Sequence, residues 1–356
     1  MSIAPDQGAA EARQPRPSIP VRSQRVADLR ALMGPADPSV RPFARGIRAT
    51  ARRHFDLHVV PRVAEHWPAL FGERFYEKLQ IGACDLYASA PYTALFCAPR
   101  RPLLVRAVTD IGNVLPLPPA MLAQLGRGAM SALGRFAYAA QHRRIILIAS
   151  FIVVVDHVFD HCMKDPPVER ERKLLRVLRG EERPTTPELA LTASLATAMA
   201  EGLDRRERAT FDAAMDRVYE WIHAEVLAML GEPDPTGLGH RMAGIEGTID
   251  GLLFPVVHYG GEGARKWMYD VSLFVQIADD WLDYDLDLAS DRTTPVLTGD
   301  WTFRDVEDSW RRSVSGLERL VADAGLTSPR YVSFVRNAYV LMMSDVIEAM
   351  AQRPDE

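Results

Sequence analysis

Val271-Ser-Leu-Phe-Val-Gln-Ile-Ala-Asp-Asp-Trp-Leu-Asp-Tyr-Asp-Leu-Asp287 is an apolar segment that ends in a run of aspartates. Aspartate is a poor helix former, and a carboxylate at a helix C-terminus faces the negative end of the helix dipole. Such a run therefore indicates a bound cation. At helical pitch Asp279 and Asp283 lie one turn apart on one face, whereas Asp287 is displaced by about 80° and lies about 12 Å along the axis. One ion would use the first pair, and Asp287 would serve a second ion or none.

A second acidic cluster follows the longest apolar run of the chain, Ile145-Ile-Leu-Ile-Ala-Ser-Phe-Ile-Val-Val-Val155. A membrane-spanning helix needs about 20 apolar residues, so this shorter run predicts a helix buried in a helical core and no integral membrane segment. Asp156 and Asp160 come directly after it, and on a continuous helix they share one face. The chain thus places acids at the ends of its two most apolar helices.

Taken together, the two clusters predict a metal site. Carboxylates without thiolates suit Mg²⁺, which binds through one or two carboxylates, water and substrate phosphates. Two such helices facing each other would bracket a diphosphate. Zinc and di-iron are the weaker alternatives. The sequence has one Glu-x-x-His motif at Glu220-Trp-Ile-His223, where a di-iron bundle needs two. His223-Ala-Glu225 is similar to part of a zinc deaminase motif, but no Pro-Cys-x-x-Cys follows.

The remainder of the chain predicts an all-α protein. Apolar residues recur at helical spacing from Pro42 onward and show no β alternation. Residues 1–40 are rich in Pro, Ala and Arg and predict a disordered tail, which leaves 41–356 as one all-α domain. A net charge of −5 argues against nucleic-acid binding, and three scattered cysteines favour a reducing cytoplasm. The excess of Arg over Lys suggests a bacterial origin, and the sequence leaves homodimer formation open.

The two acidic clusters resemble motifs of the isoprenoid synthase superfamily. Phe274-Val-Gln-Ile-Ala-Asp-Asp-Trp-Leu-Asp283, continuing to Asp291-Arg-Thr-Thr-Pro295, resembles the second aspartate-rich region of trans-prenyltransferases and the acid spacing of squalene and phytoene synthases. Asp156-His-Val-Phe-Asp160 looks like the partner motif, either Asp-x-x-x-Asp or an Asp-Asp-x-x-Asp with His157 in second place. The resemblance covers roughly residues 140–300. It implies an isoprenoid-synthase (terpene synthase) helical barrel around a deep apolar pocket, with three Mg²⁺ ions at its mouth.

Departures from these motifs favour one branch of the superfamily. The chain lacks the Gly-Lys-Arg site, the Arg-Arg after the first motif and the Lys-Thr pair of chain-elongating prenyltransferases, as well as the Asn-Asp-x-x-Ser-x-x-x-Glu motif of many terpene cyclases. It most resembles an atypical class I terpene synthase, as in the large-terpene-synthase group. The implied reaction is Mg²⁺-dependent ionisation of an allylic prenyl diphosphate to a cyclic or linear terpene. The alternatives are a condensing prenyltransferase and a non-catalytic helical scaffold.

The resemblance also assigns roles to individual residues. The predicted catalytic metal ligands are Asp156, Asp160, Asp279 and Asp283, with Asp280 and Asp287 as secondary ligands. Candidates for diphosphate binding are Arg292, which the motif places, and Arg170, Arg172 and Arg241. Candidates for the pocket wall are Gln276 and five aromatic residues that are each more readily explained as core, Phe151, Phe159, Phe254, Trp281 and Tyr284. Gly247-Thr-Ile-Asp-Gly251 predicts a helix kink or break, which would either expose backbone carbonyls or permit close helix packing.

Overall fold

The structure is a computed structural model that describes residues 19–97, 139–252, 256–323 and 328–352. Within these ranges every regular element is helical and no strand occurs, which confirms the all-α class. The helices, in chain order, are α1 (Arg22–Met33), α2 (Arg41–His58), α3 (Val60–His66), α4 (Arg74–Cys97), α5 (Ala139–His157), α6 (Pro167–Leu178), α7 (Pro187–Ala200), α8 (Arg205–Met229), α9 (Gly239–Gly247), α10 (Val256–Leu282), α11 (Tyr284–Ala289), α12 (Pro295–Thr298), α13 (Phe303–Asp323) and α14 (Pro329–Ala351).

The two helices that carry the acidic clusters, α5 and α10, pack against a common neighbour. Helix α4 contacts both of them, while α5 also packs on α2 and α7 and α10 packs on α13. The side chains of Ile146, Leu147 and Val154 on α5 and of Phe274 on α10 are fully buried. The apolar runs therefore form the core of the described helices, as their composition predicts.

Helix α5 is also the one segment of the described chain that passes a membrane-span test by length and composition. The segment His142–Cys162 has 21 residues, and its most apolar stretch has a mean hydropathy of 1.9. Of that stretch, 61% is buried inside the protein. Core helices of soluble proteins pass the same test, so the prediction that no segment spans a membrane stays a prediction.

Two π-helical turns interrupt the helices near the predicted site. One, Val158–Cys162, follows α5, and the other, Thr248–Leu252, follows α9. The second lies within the glycine-rich stretch for which the sequence predicts a kink. A Cβ built at Gly247 would lie 2.7 Å from the Ala214 carbonyl oxygen of α8, and one at Gly251 would overlap the Ala214 Cβ. The glycines therefore permit α8 to pack closely against this turn.

The prediction of a disordered tail over residues 1–40 is wrong for residues 22–40. Residues 22–33 form α1, and Pro38–Val40 form a 3₁₀ turn. Helix α1 buries Val26, Leu29 and Met33 on one face and packs against α10 and α14. Residues 1–18 lie outside the described chain. The burial of three apolar side chains and one arginine, Arg25, explains why this basic segment folds onto the domain.

A cluster of imidazole rings joins α2, α4 and α5. The ring of His54 stacks on those of His58 and His142 at centroid distances of 5.7 and 5.1 Å, and Tyr87 shares a hydrogen bond with His142. Burial, followed by the charges of His142, His58 and Arg53, lowers the pKa of His54 to about 4. Burial also lowers the pKa of His58 and His142. The fold therefore favours the neutral form of all three rings.

This cluster predicts a loss of stability in mild acid. An unfolded histidine has a pKa of about 6.5, so the contribution of His54 is complete above that pH and is lost as the pH falls toward 4. After a discount for partial exposure, the expected loss is about 1–2 kcal/mol. We expect His54→Gln to flatten the decline of melting temperature between pH 6.5 and 4, relative to His161→Gln, which alters an exposed ring. Parallel pH profiles for wild type and His54→Gln would contradict this expectation.

Candidate metal and diphosphate site

The predicted second motif lies where α10 ends and the chain turns into α11. Helix α10 stops at Leu282, and Asp283 occupies the break before Tyr284. The Asp283 backbone N–H still donates to the Asp279 carbonyl at 2.9 Å, so the two residues keep their one-turn relation. Both side chains are half-buried. The helical geometry expected for this pair is therefore present.

Asp280 and Asp287, which the sequence ranks second, are the buried acids of this motif. Their exposed fractions are 8% and 9%. Burial raises the pKa of Asp280 to about 8 against the attraction of Arg241, and Glu225, Asp279 and Asp287 add to the rise. Burial likewise raises the pKa of Asp287 to about 7, with added repulsion from Asp283, Glu225 and Asp279. These carboxylates lie close enough together to disfavour each other's charge.

A buried arginine, Arg241, links α8, α9 and α10 within this acidic group. Its Nη2 lies 2.9 Å from the Glu225 carboxylate, and its Nη1 lies 3.8 Å from Asp280 Oδ2. Burial alone would lower the pKa of Arg241, but Glu225, Asp280 and Asp287 raise it overall. The side chain is 5% exposed and already paired, so Arg241 acts as a counter-charge to the acids.

Glu225 belongs to the site, although the sequence predicts no role for it. It lies near the C-terminal end of α8, and its charge affects Arg241, Asp280, Asp287 and Arg292. The only signal in the sequence is its place in His223-Ala-Glu225. His223 itself pairs with Glu171 of α6 through Nδ1 at 3.0 Å, outside the aspartate group.

The first predicted motif spans the change from α-helix to π-helix after α5. Asp156 is exposed in the last turn of α5, and Asp160 lies within the π turn. The expectation that both lie on one continuous α-helix is therefore wrong. Val158 and Phe159 in the π turn are buried, as is Met163 directly after it. π turns of this kind are frequent at functional sites.

One ion pair joins the two acidic clusters. Arg292 Nη2 lies 3.0 Å from Asp160 Oδ2, and the two residues are 132 positions apart in the sequence. Burial alone would lower the pKa of Arg292, but Asp160, Glu225 and Asp287 raise it. The guanidinium is 26% exposed, so solvent reaches it. This contact brings the turn after α5 and the chain after α11 together.

The turn that carries Arg292 is held in place by its backbone. Asp291 has a φ of 55°, a left-handed conformation that non-glycine residues seldom adopt. The Arg292 N–H donates to the Asp287 carbonyl, and the Thr293 N–H donates to the Ala228 carbonyl of α8, both at 2.9 Å. Strained backbone of this kind persists where surrounding contacts determine it. The backbone that carries Arg292 is therefore held in one conformation, from which its side chain contacts Asp160.

The other predicted diphosphate ligands have structural partners. Arg170 donates to the carbonyl oxygens of Phe159 and Asp165 at 3.0 and 2.6 Å and thereby holds the π turn on α6. Arg172 is exposed and pairs with Glu169 of its own helix. Arg172 therefore pairs within its own helix and away from the acidic group, and Arg170 contacts the backbone of the first motif through the Phe159 carbonyl.

Most predicted pocket residues lie in the hydrophobic core. Phe151, Phe159, Trp281 and Tyr284 are between 1% and 8% exposed. The ring of Trp281 packs on that of Phe303 at 5.5 Å. Gln276 is half-buried, and its amide donates to Asp280 Oδ1 at 3.0 Å, which orients that carboxylate. Phe254 lies outside the described residues. The arrangement supports the core interpretation of these side chains, and Gln276 joins the acidic group.

The acidic group contains carboxyl groups and arginines, and carboxylate oxygen is the ligand type that hard divalent cations prefer. Within the part of the chain that is described, no group of three His, Cys, Asp or Glu residues converges as a preformed metal site. Mg²⁺ commonly uses only one or two carboxylates and takes its remaining ligands from water and phosphate. Asp280 Oδ2 is buried and receives no hydrogen bond from any residue that the structure describes, and the acidic group holds more carboxyl groups than arginines. Burial and mutual repulsion raise the pKa values of Asp280 and Asp287, and a cation bound beside them would favour their charged forms.

A comparison with known protein families finds no matching family model, and no curated protein or solved structure is significantly similar to the chain.

Proposed function

We propose that the chain is a class I terpene synthase that ionises an allylic prenyl diphosphate with Mg²⁺. The observation that carries this proposal is the Asp160–Arg292 ion pair, which connects the turn after α5 with the turn after α11 across 132 positions. The excess of carboxylates on the α10 side supports it, as does the resemblance of both motifs to those of isoprenoid synthases. The barrel form of the fold and its deep apolar pocket are part of the proposal.

In this proposal the acids and the guanidinium act on one diphosphate. Asp156 and Asp160 on one side and Asp279 and Asp283 on the other would hold up to three Mg²⁺ ions, with Asp280 and Asp287 as supporting carboxylates. Bound Mg²⁺ would supply Lewis-acid stabilisation of the charge that develops on the leaving diphosphate. Arg292 would exchange its contact with Asp160 for the diphosphate oxygens and donate hydrogen bonds there. Apolar side chains of the helices would exclude water from the carbocation that is left.

Incubation with Mg²⁺ and each of the C10, C15, C20 and C25 prenyl diphosphates tests the proposal. Diphosphate release and a hydrocarbon or alcohol product, detected by mass spectrometry, are the expected results with a single substrate. A requirement for added isopentenyl diphosphate, or product formation from two copies of one donor, would instead show a prenyltransferase. Absence of diphosphate release under every condition would leave the helical scaffold as the surviving interpretation.

A further inference from the structure

The fully buried guanidinium of Arg25 on α1 joins three parts of the chain. Arg25 is 0% exposed. Its Nη1 donates to the Pro20 carbonyl at 2.6 Å, and its Nη2 donates to the Leu282 carbonyl at 3.0 Å and to Asp285 Oδ2 at 2.9 Å. The guanidinium also lies 5.7 Å from the centre of the Tyr284 ring. One side chain therefore contacts the residue that ends α10 and two residues of α11.

Helix α1 also reaches a predicted metal ligand directly. Arg22, one turn before Arg25, has its Nη2 3.6 Å from Asp283 Oδ1 and donates to the Met350 carbonyl at 3.4 Å. Arg30 forms two hydrogen bonds to the Glu348 carboxylate, at 2.6 and 2.7 Å. Helix α1 is thus anchored on α14 at one side and on the acidic turn at the other.

The chemistry of a helix end explains why an arginine is suited to this place. The last carbonyls of a helix have no intrahelical donor and carry partial negative charge. Asp283 and Asp285 place further acidic groups beside these carbonyls. Without a nearby cation their mutual repulsion would favour other backbone conformations for the turn after Leu282. A buried guanidinium that donates to the Leu282 carbonyl and to Asp285 together fixes the direction of the chain between them. Asp283 and Tyr284 are the two residues between those contacts.

We propose that Arg25 is a positioning residue for divalent-cation binding. It fixes the break between α10 and α11, and thereby the direction in which Asp279 and Asp283 present their carboxylates to the ion. This inference rests on the proposed function, since it assigns the cation site to that pair. Helix α1 therefore contributes to the cation site, although the composition of residues 22–33 predicts a disordered tail.

Binding of Mn²⁺ as a paramagnetic substitute for Mg²⁺, with inorganic pyrophosphate present, tests the inference without turnover. Electron paramagnetic resonance of free Mn²⁺ gives the half-saturating concentration for the full chain. Arg25→Lys keeps the charge but replaces the rigid two-nitrogen guanidinium with a single ammonium, which cannot keep the contacts to Pro20, Leu282 and Asp285 in the same geometry. We expect it to raise the half-saturating concentration about 10-fold, as loss of a residue that orients a metal ligand does. Gln24→Ala, an exposed substitution on the same helix whose side chain bonds Asp28 of α1, is expected to bind Mn²⁺ like wild type.

The possible outcomes separate this inference from the proposed function. Wild-type Mn²⁺ binding by a folded Arg25→Lys would overturn the positioning role and leave the function standing. A protein whose wild type takes up no Mn²⁺ with pyrophosphate would refute the function, and the positioning role with it. If Arg25→Lys does not fold, Asp285→Asn replaces it, because that carboxylate is 59% exposed and its loss removes one Arg25 contact only. A raised half-saturating concentration supports the inference there too, and an unchanged one contradicts it.

Discussion

Replacement of Asp279 by Asn is expected to reduce diphosphate release by about 100-fold or more, the size of effect seen when one stabiliser of transition-state charge is lost. Asn keeps the shape and a carbonyl oxygen but removes the negative charge that a hard cation needs. Because Asp279 and Asp283 are joined by a backbone hydrogen bond in one helical turn, the substitution should leave the fold intact. Steady-state release of diphosphate at saturating substrate, as a function of Mg²⁺ concentration, measures the effect.

Glu262→Gln is the matched control for this substitution. It removes a carboxylate from the same helix, α10, but its side chain is 83% exposed near the other end. Its expected activity is that of wild type. If Asp279→Asn keeps an activity within about threefold of wild type, the second motif takes no part in the reaction. The assignment of its aspartates as catalytic metal ligands would then be wrong.

Gly251→Ala is expected to destabilise the fold by about 2–3 kcal/mol, because an added methyl group has no room. A Cβ at Gly251 would overlap the Cβ of Ala214 and lie 3.1 Å from the Ala214 Cα on α8. Ala214→Gly alone should cost about 1 kcal/mol, since glycine weakens a helix interior. The double variant moves the methyl group from one helix to the other. We expect its unfolding free energy to lie within about 1 kcal/mol of wild type, a rescue that reports direct contact.

Denaturant unfolding of the four proteins measures this cycle. Gly72→Ala is the control, since a Cβ there meets nothing within 4 Å, and its expected change is below about 0.5 kcal/mol. Additive losses in the double variant, or a neutral Gly251→Ala, would contradict the close approach of α8 to the π turn.

The main helices could be predicted because their signals are local. The apolar run that ends at Val155 and the one that ends at Ala278 are buried, and the segment Gly247–Gly251 carries the interruption that its glycines indicate. Apolar periodicity and glycine content depend only on neighbours in the sequence. The sequence does not distinguish the two reasons for those glycines, because close packing on Ala214 requires knowledge of a helix about 35 positions away.

Helix α1 shows where local signals fail. Its three buried apolar residues are outnumbered by polar ones, so composition favours a tail. The segment folds because Val26, Leu29 and Met33 are buried on one face and because Arg25 donates to the Leu282 carbonyl and Asp285, about 260 residues away in the sequence. Such a long-range partner leaves no trace in the periodicity of residues 22–33.

The membership of the site was only partly predictable for the same reason. The spacing of Asp279 and Asp283 and the place of Arg292 follow from motif order. The burial of Asp280 and Asp287 and the inclusion of Glu225 depend on how α8, α9 and α10 meet. Arg172, by contrast, forms an ion pair with Glu169 of its own helix. Composition alone cannot distinguish such an arginine from one that faces a binding cavity.

The π turn after α5 makes the number of residues between Asp156 and Asp160 a structural constraint. Each residue of an α-helix advances by about 100°, and a π turn accommodates extra backbone relative to the α-helix that precedes it. Removing one residue between His157 and Asp160 would turn Asp160 by about that angle and carry it away from Arg292. Insertions and deletions should therefore be rare between Asp156 and Asp160 in related proteins.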